Sequence, residues 1–378
     1  MRSFWEKNKK FFRMLFVGLV MTGILISLPT GFEDALIYQG TERAVATVVA
    51  VDNSAIISSG LIQSGEQTCV LSIGKGLFAG REITGVNFLS GSLEKDKIYE
   101  VGDKALVTIS YDGDEVKSAV MSDHYRLDKE AVLAVLFVLL LILFAGKNGV
   151  QAIFSFVITV LSIWKILVPC YLKGYSPVWV GIALTAFLTV VILYFVYGIE
   201  KRTLVASMGS LLGVLTTCVL GIVFTDLFKI HGAVMANSES LLYSGYENLD
   251  LTAIFMSSIF IGASGAMMDL AVDITAAVSE VVEKKPEIGW LEAAKSGMNV
   301  GRAAMGTMTT TLLLAYSGGC VALLMVFMAQ GTPVNHILNY KYVAAEVLDT
   351  IAGSFGLVTV APFTALVAGL ILTKKSEN

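Results

Sequence analysis

Long apolar runs separated by short polar connections dominate the hydrophobic pattern of this chain. A helix needs about 20 mostly apolar residues to cross the hydrocarbon core, because lipid offers no hydrogen-bond partner to an open backbone. Eight runs meet this requirement, at residues 12–29, 130–146, 151–172, 178–198, 203–225, 251–280, 303–328 and 346–372. The pattern therefore predicts an α-helical polytopic membrane protein with about eight transmembrane helices, in which Gly262 and Gly265 are candidate break points of the sixth.

The polar stretch between the first two runs, residues 31–128, follows a different pattern. Short β-branched segments alternate with turn signals such as Ser-Gly-Glu and Val-Gly-Asp, which is typical of strands in a small sandwich or barrel. We predict three parts: a basic leader with the first anchor at 1–30, a β-rich domain at 31–128, and a seven-helix domain at 129–378. The β-rich part is either a ligand or partner module that guards the membrane domain, or a lid or assembly domain without a ligand.

Charge supports this organisation and sets an orientation. Hydrophobic residues make up 55% of the chain and charged residues 15%, and the apolar first run lacks a signal-peptidase pattern, which favours an uncleaved anchor over a secretory signal. With the N-terminus inside, the predicted cytoplasmic segments hold 14 Lys and Arg against 3 in the short outer loops. Both termini are then cytoplasmic and residues 31–128 are extracytoplasmic. That domain has 15 Asp and Glu against 8 Lys and Arg, which argues against anionic partners such as nucleic acid.

Carboxylates in the sixth run are the clearest polar candidates inside the membrane. Asp269, Asp273 and Glu280 follow each other at intervals of four and seven residues, so they share one helical face. An ionisable group within a span usually faces protein or water. Counted from residue 251, Asp269 lies about 27 Å along the helix, near the predicted cytoplasmic interface. The residues fit either a cation or proton pathway or a wetted helix end.

The start of the seventh run adds further polar residues, which are Asn299, Arg302, Thr307, Thr309 and Thr310. Arg302 has a similar predicted depth to the two aspartates of the sixth run, so it is a candidate ion-pair partner for either of them. The alternative is an arginine that anchors the helix on the cytoplasmic side, with threonines that bond back to their own helix. Together with the three carboxylates, these residues form the predicted polar pathway.

Residues of the kind that build catalytic or metal centres are sparse. The four cysteines are scattered without a Cys-x-x-Cys pair, and no His-Glu-x-x-His, Gly-x-Ser-x-Gly or Walker pattern occurs. We therefore expect no enzymatic activity, no cofactor and no metal site. Glu346 and Asp349, at the start of the eighth run, are expected to complement the positive end of a helix dipole.

Several segments carry a resemblance to a known family. They are VGDKALV and DHYR in the polar region, LVPCYLKGYSP after the third run, GASGAMMDLAVDITAAVSE in the sixth and SGMNVGRAAMGTMTTTLLLAY in the seventh. These segments are similar to the YibE/F family of bacterial polytopic membrane proteins. The resemblance implies a multi-pass protein of the bacterial cell membrane, often encoded beside a paralogue, and no established activity. Where the family pattern reads GRDIMGTMTNTLILAY, this chain has Ala303 and Thr310, which weakens an ion-binding role for that segment.

Two functions remain open at this stage. The first is a permease or channel-like component for a small solute or ion, with Asp269, Asp273, Glu280 and Arg302 along the polar route. The second is a non-transporting membrane scaffold or assembly subunit that acts with a paralogous subunit or as a homo-oligomer. Both have the lipid bilayer as their surroundings.

Overall fold

The computed structural model describes residues 2–33 and 40–374, with the side chains of residues 2–8 left out. The chain divides into two compact units. One comprises Met1–Thr30 and Phe144–Asn378, and the other comprises Gly31–Leu143. The second unit therefore extends past residue 128 and takes in the first part of a long apolar helix.

A closed β-barrel forms most of the second unit. Its strands are β1 (Thr41–Asp52), β2 (Ile56–Ser59), β3 (Ile62–Ile73), β4 (Glu82–Ser90), β5 (Lys104–Asp112) and β6 (Glu115–His124). The sheet order is β1-β5-β6-β4-β3-β2, and β1 also pairs with β3, which closes five of the strands into a ring. The β4–β6 pair is parallel and the other pairs are antiparallel. This is the strand arrangement of an OB-fold barrel, which confirms the barrel form of the predicted sandwich or barrel.

A polar network crosses the barrel core among its alternating apolar residues. Gln67 and Asn87 are almost completely buried on neighbouring strands β3 and β4. The Gln67 amide donates to Asn53 Oδ1 at 2.9 Å and to the Tyr99 carbonyl at 2.8 Å, and its oxygen accepts from the Tyr99 amide at 3.0 Å and from Asn87 Nδ2 at 3.1 Å. Asn87 Nδ2 also donates to the Lys97 carbonyl at 2.6 Å. These bonds fix the loop between β4 and β5 to the core.

Helices make up most of the described chain outside the barrel. They are α1 (Arg2–Ser27), α2 (Leu127–Ser162), α3 (Val168–Leu172), α4 (Pro177–Tyr197), α5 (Lys201–Leu227), α6 (Ser238–Tyr243), α7 (Leu251–Lys284), α8 (Trp290–Ala329), α9 (Val334–Asn339) and α10 (Lys341–Leu372). Within residues 2–33 and 40–374, seven helices are long and apolar enough to cross a membrane. One of the seven, Leu127–Leu172, runs through α2, a π-helical turn and α3. It covers the second and third of the eight predicted spans.

A glycine interrupts one of these helices, but not the helix in which a break was predicted. Gly146, which lies at the end of the second predicted span, has φ 53° and ψ −121° inside α2, so the helix is interrupted there. Gly262 and Gly265 do not break the sixth predicted span, because α7 is continuous from Leu251 to Lys284. Glycine disfavours a helix interior by only about 1 kcal/mol, which tertiary packing readily overcomes.

Close glycine contacts hold α5, α7 and α10 together at the centre of the helical unit. A methyl group placed on Gly213 of α5 would lie 3.0 Å from the Gly356 carbonyl of α10 and 3.4 Å from the Met267 sulfur of α7. Met267 is fully buried, as are Val360 and Ala361 of α10. Small residues at such crossings let helix backbones approach closely, which is the usual packing mode in lipid.

Candidate polar site in the helical unit

A cavity of about 580 Å³ opens among the ends of α7, α8 and α10. This volume lies within the range of small-molecule sites. Its lining residues are Val234, Met235, Ala236, Phe255, Ser258, Gly319, Cys320, Leu323, Tyr340, Tyr342, Ala345, Glu346 and Asp349. The wall is apolar and aromatic except for a few polar side chains, two of which are carboxylates.

The two carboxylates of the cavity, Glu346 and Asp349, both belong to α10. They are three residues apart on α10, so they lie on one face, and both line the cavity. Within the described part of the chain, the buried Oδ1 of Asp349 and the buried hydroxyl of Tyr316 have no hydrogen-bond partner. A buried polar atom without a partner costs about 1–3 kcal/mol. Such a cost is relieved when water or a ligand binds.

A stripe of exposed residues on α7 continues from this cavity along the helix. Ser258 lines the cavity, and Gly262 lies beside the Tyr316 hydroxyl of α8. Gly265, Asp269 and Asp273 follow at helical spacing, and all three are exposed although most of the residues next to them in the chain are buried. The two aspartates therefore share the face of α7 that leads away from the cavity, as the sequence predicted.

The packing of α7 indicates the depth of these aspartates. Near its C-terminal end, Glu283 pairs with Arg202 at the start of α5, which marks the charged, predicted cytoplasmic edge of the bundle. At 1.5 Å per residue, Asp273 lies about 15 Å from Glu283 and Asp269 about 21 Å. The hydrocarbon core is about 30 Å thick. Counted from this pair, both aspartates fall within a band of that thickness, whereas the count from residue 251 put Asp269 near the predicted cytoplasmic interface.

Glu280 differs from the two aspartates in its surroundings. Its Oε1 accepts a bond of 2.6 Å from the Lys284 ammonium one turn further along α7, and both side chains are exposed. Glu280 lies only about 5 Å along the axis from Glu283. It is therefore part of the charged helix end, and it provides a matched reference for the deeper carboxylates.

The polar residues of α8 lie beside α7 but do not pair with its aspartates. Gly301 packs against Ile274 of α7, which places the neighbouring Arg302 at the depth of Asp273. Arg302 nevertheless forms no ion pair within 4.0 Å in the described chain, and neither do Asp269 and Asp273. Arg302 and Asn299 are exposed. The predicted pairing is thus absent within one copy of the chain.

The threonine hydroxyls of α8 donate hydrogen bonds to backbone carbonyls of their own helix. Thr307 donates to the Ala304 carbonyl at 3.0 Å, Thr309 to the Met305 carbonyl at 2.8 Å and Thr310 to the Gly306 carbonyl at 3.1 Å. This is the back-bonding alternative stated from the sequence. Their hydroxyl protons are occupied, so they line the α8 surface without free donors.

Glu346 and Asp349 are the functional candidates that sequence reasoning missed. Their position at the start of the last apolar run suggested a helix-dipole role, yet both line the cavity. Their three-residue spacing within an apolar helix is the same signal that identified Asp269 and Asp273. In the described residues, no group of three or more His, Cys, Asp or Glu is arranged to hold a metal ion.

Comparison with known proteins shows to which family this chain belongs. No curated protein and no solved structure matches this chain. The model of a protein family described as YibE/F-like protein matches residues 133–374, which is more than half of the chain and covers α4, α5, α7, α8 and α10. The matched region therefore includes the cavity, both of its carboxylates and the α7 stripe. This chain belongs to the YibE/F family of membrane proteins.

Proposed function

We propose that this protein is a permease or channel-like component for a small cation. The observation that carries the proposal is the alignment of two acidic pairs, Glu346 with Asp349 in the cavity and Asp269 with Asp273 further along α7. Ionisable residues within membrane helices mark substrate or ion routes because lipid penalises them by several kcal/mol. Carboxylates carried on membrane helices are stabilised by contact with water, a cation or a partner.

The route that we propose begins in the cavity and follows α7. Along the helix axis, Asp269 lies about 17 Å from Ser258 and Asp273 about 23 Å. Tyr316, Gly262 and Gly265 lie between the two acidic pairs. The space beside Gly265 is open, whereas the Tyr316 hydroxyl fills the space beside Gly262, so Tyr316 would have to move for a hydrated ion to pass. Carboxylates separated by such distances provide successive binding positions.

The sign of the charges favours a cation over an anion. The cavity carries two carboxylates and no Lys or Arg among its lining residues. The rings of Phe255 and Tyr340 can also contribute cation–π attraction, whereas the ring of Tyr342 already has the Lys341 ammonium 5.0 Å from its centroid. The net charge of −7 on residues 31–128 also favours cations, because it repels anions and raises the cation concentration near the surface of this domain.

Flux through the full chain in proteoliposomes tests the proposal. K⁺, Na⁺, Mg²⁺, Mn²⁺ and H⁺ are offered one at a time, with an entrapped indicator for each. We expect flux of at least one cation above protein-free vesicles, and a loss of at least about tenfold in the double variant Asp269→Asn/Asp273→Asn, since the proposed path loses two binding charges. Glu280→Gln is the control, because it removes the same charge from the same helix face but at the exposed, Lys284-paired end.

Two results would contradict this function. One is the absence of flux for every cation from protein that elutes as a single folded species. The other is a double variant that transports as well as the unmodified chain, because the aspartates would then lie off any route.

A scaffold or assembly subunit is the second candidate function. It is favoured by α8, in which almost none of the most apolar stretch is buried, unlike the corresponding stretches of α5, α7 and α10. A membrane helix exposed to this extent can serve as an interface for other helices. Stable co-purification with a different membrane protein, combined with absence of flux, would favour this candidate.

A further inference from the structure

The acidic stripe of α7 is open at the side of the bundle. Gly262, Gly265, Asp269, Asp273 and Ala276 recur every three or four residues and are all exposed. The opposite face of α7 is buried against its neighbours, with Met267 contacting α5 and α10. One copy of the chain therefore supplies only one wall of the proposed route.

A second exposed stripe on α8 lies next to the first. Asn299, Arg302, Gly306 and Thr310 recur at helical spacing, and all four are exposed. The contact between Gly301 and Ile274 keeps Arg302 level with Asp273. The exposed surface of these two neighbouring helices therefore carries a negative charge on α7 and a positive charge on α8 at about the same level.

This face is incompatible with hydrocarbon. A charged side chain in the middle of a bilayer costs several kcal/mol even when water and lipid adjust around it. Among the residues that the structure describes, Asp273 and Arg302 have no ion-pair partner to offset this cost. A surface that presents an anion to Arg302 and a cation to Asp273 would offset this cost.

We infer that a second copy of this chain covers the face. A two-fold axis along the membrane normal keeps every residue at its depth, so Arg302 of one copy meets Asp273 of the other, and the reverse pair forms at the same time. The face is thus complementary to itself. Gly265 and Gly306 have no atom within 4 Å of an added methyl group, so they leave space for the second backbone to approach. The dimer encloses the route that a single copy leaves open.

Burial and charge alone favour this dimer, so it is expected whether or not the protein transports a cation. It can be tested in native membranes of cells that express the full chain, without a substrate. Cross-linking reports the contact, and charge exchange reports the pairing.

Cross-linking uses a background in which the four native cysteines are replaced by alanine. A cysteine is introduced at Ala276 on the stripe or at Met208 on α5, which is 42% exposed. Both sites lie about 10 Å along the axis from the Arg202–Glu283 pair, so they match in depth. A short bismaleimide linker is expected to convert A276C into a homodimer at least fivefold more efficiently than M208C. Equal conversion of the two variants, or a cross-link from A276C to a different protein, would overturn the inference.

Charge exchange separates pairing between copies from pairing within one copy. Differently tagged chains carrying Arg302→Asp or Asp273→Arg are expressed alone or together, each with A276C. Each variant alone places like charges across the two-fold axis, whereas the mixed dimer has two opposite-charge pairs. Because like-charge contacts cost several kcal/mol, we expect mixed dimers to exceed either homodimer at least fivefold. Random proportions in the mixture would refute the pairing, whether or not the protein transports cations.

Discussion

The closest crossing of α5 and α10 gives a sharp test of how the helical unit is held together. A methyl group added to Gly209 would lie 2.8 Å from Cβ and 2.9 Å from Cα of Thr364, whereas an ordinary contact begins at 3.4 Å. Thr364 is completely buried, so its side chain has no free space to enter. The added methyl group would also overlap Thr364 Oγ1, so Gly209→Ala requires the two helix backbones to separate by at least about 0.5 Å.

The expected loss of stability follows from this separation. Overpacking of a well-packed interior by one methyl group typically costs about 1–3 kcal/mol. Alanine also favours a helix over glycine by up to about 1 kcal/mol. Gly318→Ala on α8 is the matched control, since no atom lies within 4 Å of its added methyl group. The propensity gain is common to both variants, so their difference isolates the overpacking cost.

Thermal unfolding in detergent, followed by a thiol-reactive fluorophore, measures this difference. Cys218 on α5 is 3% exposed and becomes reactive when the bundle opens. The other cysteines, Cys69, Cys170 and Cys320, are replaced by alanine. At about 2–4 °C per kcal/mol for a unit of this size, Gly209→Ala should melt about 2–12 °C below Gly318→Ala. Equal or higher stability of Gly209→Ala would refute the close crossing.

Three further predictions concern the cavity and the barrel. Asp349→Leu should abolish cation flux yet raise the melting temperature of the helical unit, because it removes an unpartnered buried oxygen; a lower melting temperature would contradict this. Gln67→Leu should destabilise the barrel by about 2–3 kcal/mol in denaturant titrations, since the amide and carbonyl of Tyr99 lose their partner. Hydrogen bonds from Ser90, Gly91 and Ser92 lower the pKa of Asp96, so Asp96→Asn should weaken the barrel at pH 7, and Glu94→Gln should not.

The pH dependence of the Asp96 effect has a definite sign. A carboxyl whose pKa is lowered by folding stabilises the folded state above its unfolded pKa, which is about 3.9 for aspartate. That contribution disappears as the pH falls through the lowered value. The difference in barrel melting temperature between Asp96→Asn and the unmodified chain should therefore shrink below about pH 4. A difference that stays constant from pH 7 to pH 3 would assign the effect to something other than ionised Asp96.

The sequence by itself determined the classes of structure and the face that each polar residue occupies. Apolar runs of about 20 residues can satisfy their backbones in lipid only as helices, and β-branched segments between turn residues form strands. The four-residue spacing of Asp269 and Asp273 placed them on one face of α7, because the helix repeats every 3.6 residues. None of these inferences depends on how one element packs against another.

Only the tertiary structure decided the depth, the partners and the cavity. Periodicity describes one helix around its own axis and carries no information on how far two helices are offset along their axes. That offset places Arg302 level with Asp273, and neither side chain forms an ion pair with any residue that the structure describes. It also brings Glu346 and Asp349 into a cavity shared with α7 and α8. Side-chain packing across helices fixes these relations, and it involves residues that are tens of positions apart in the chain.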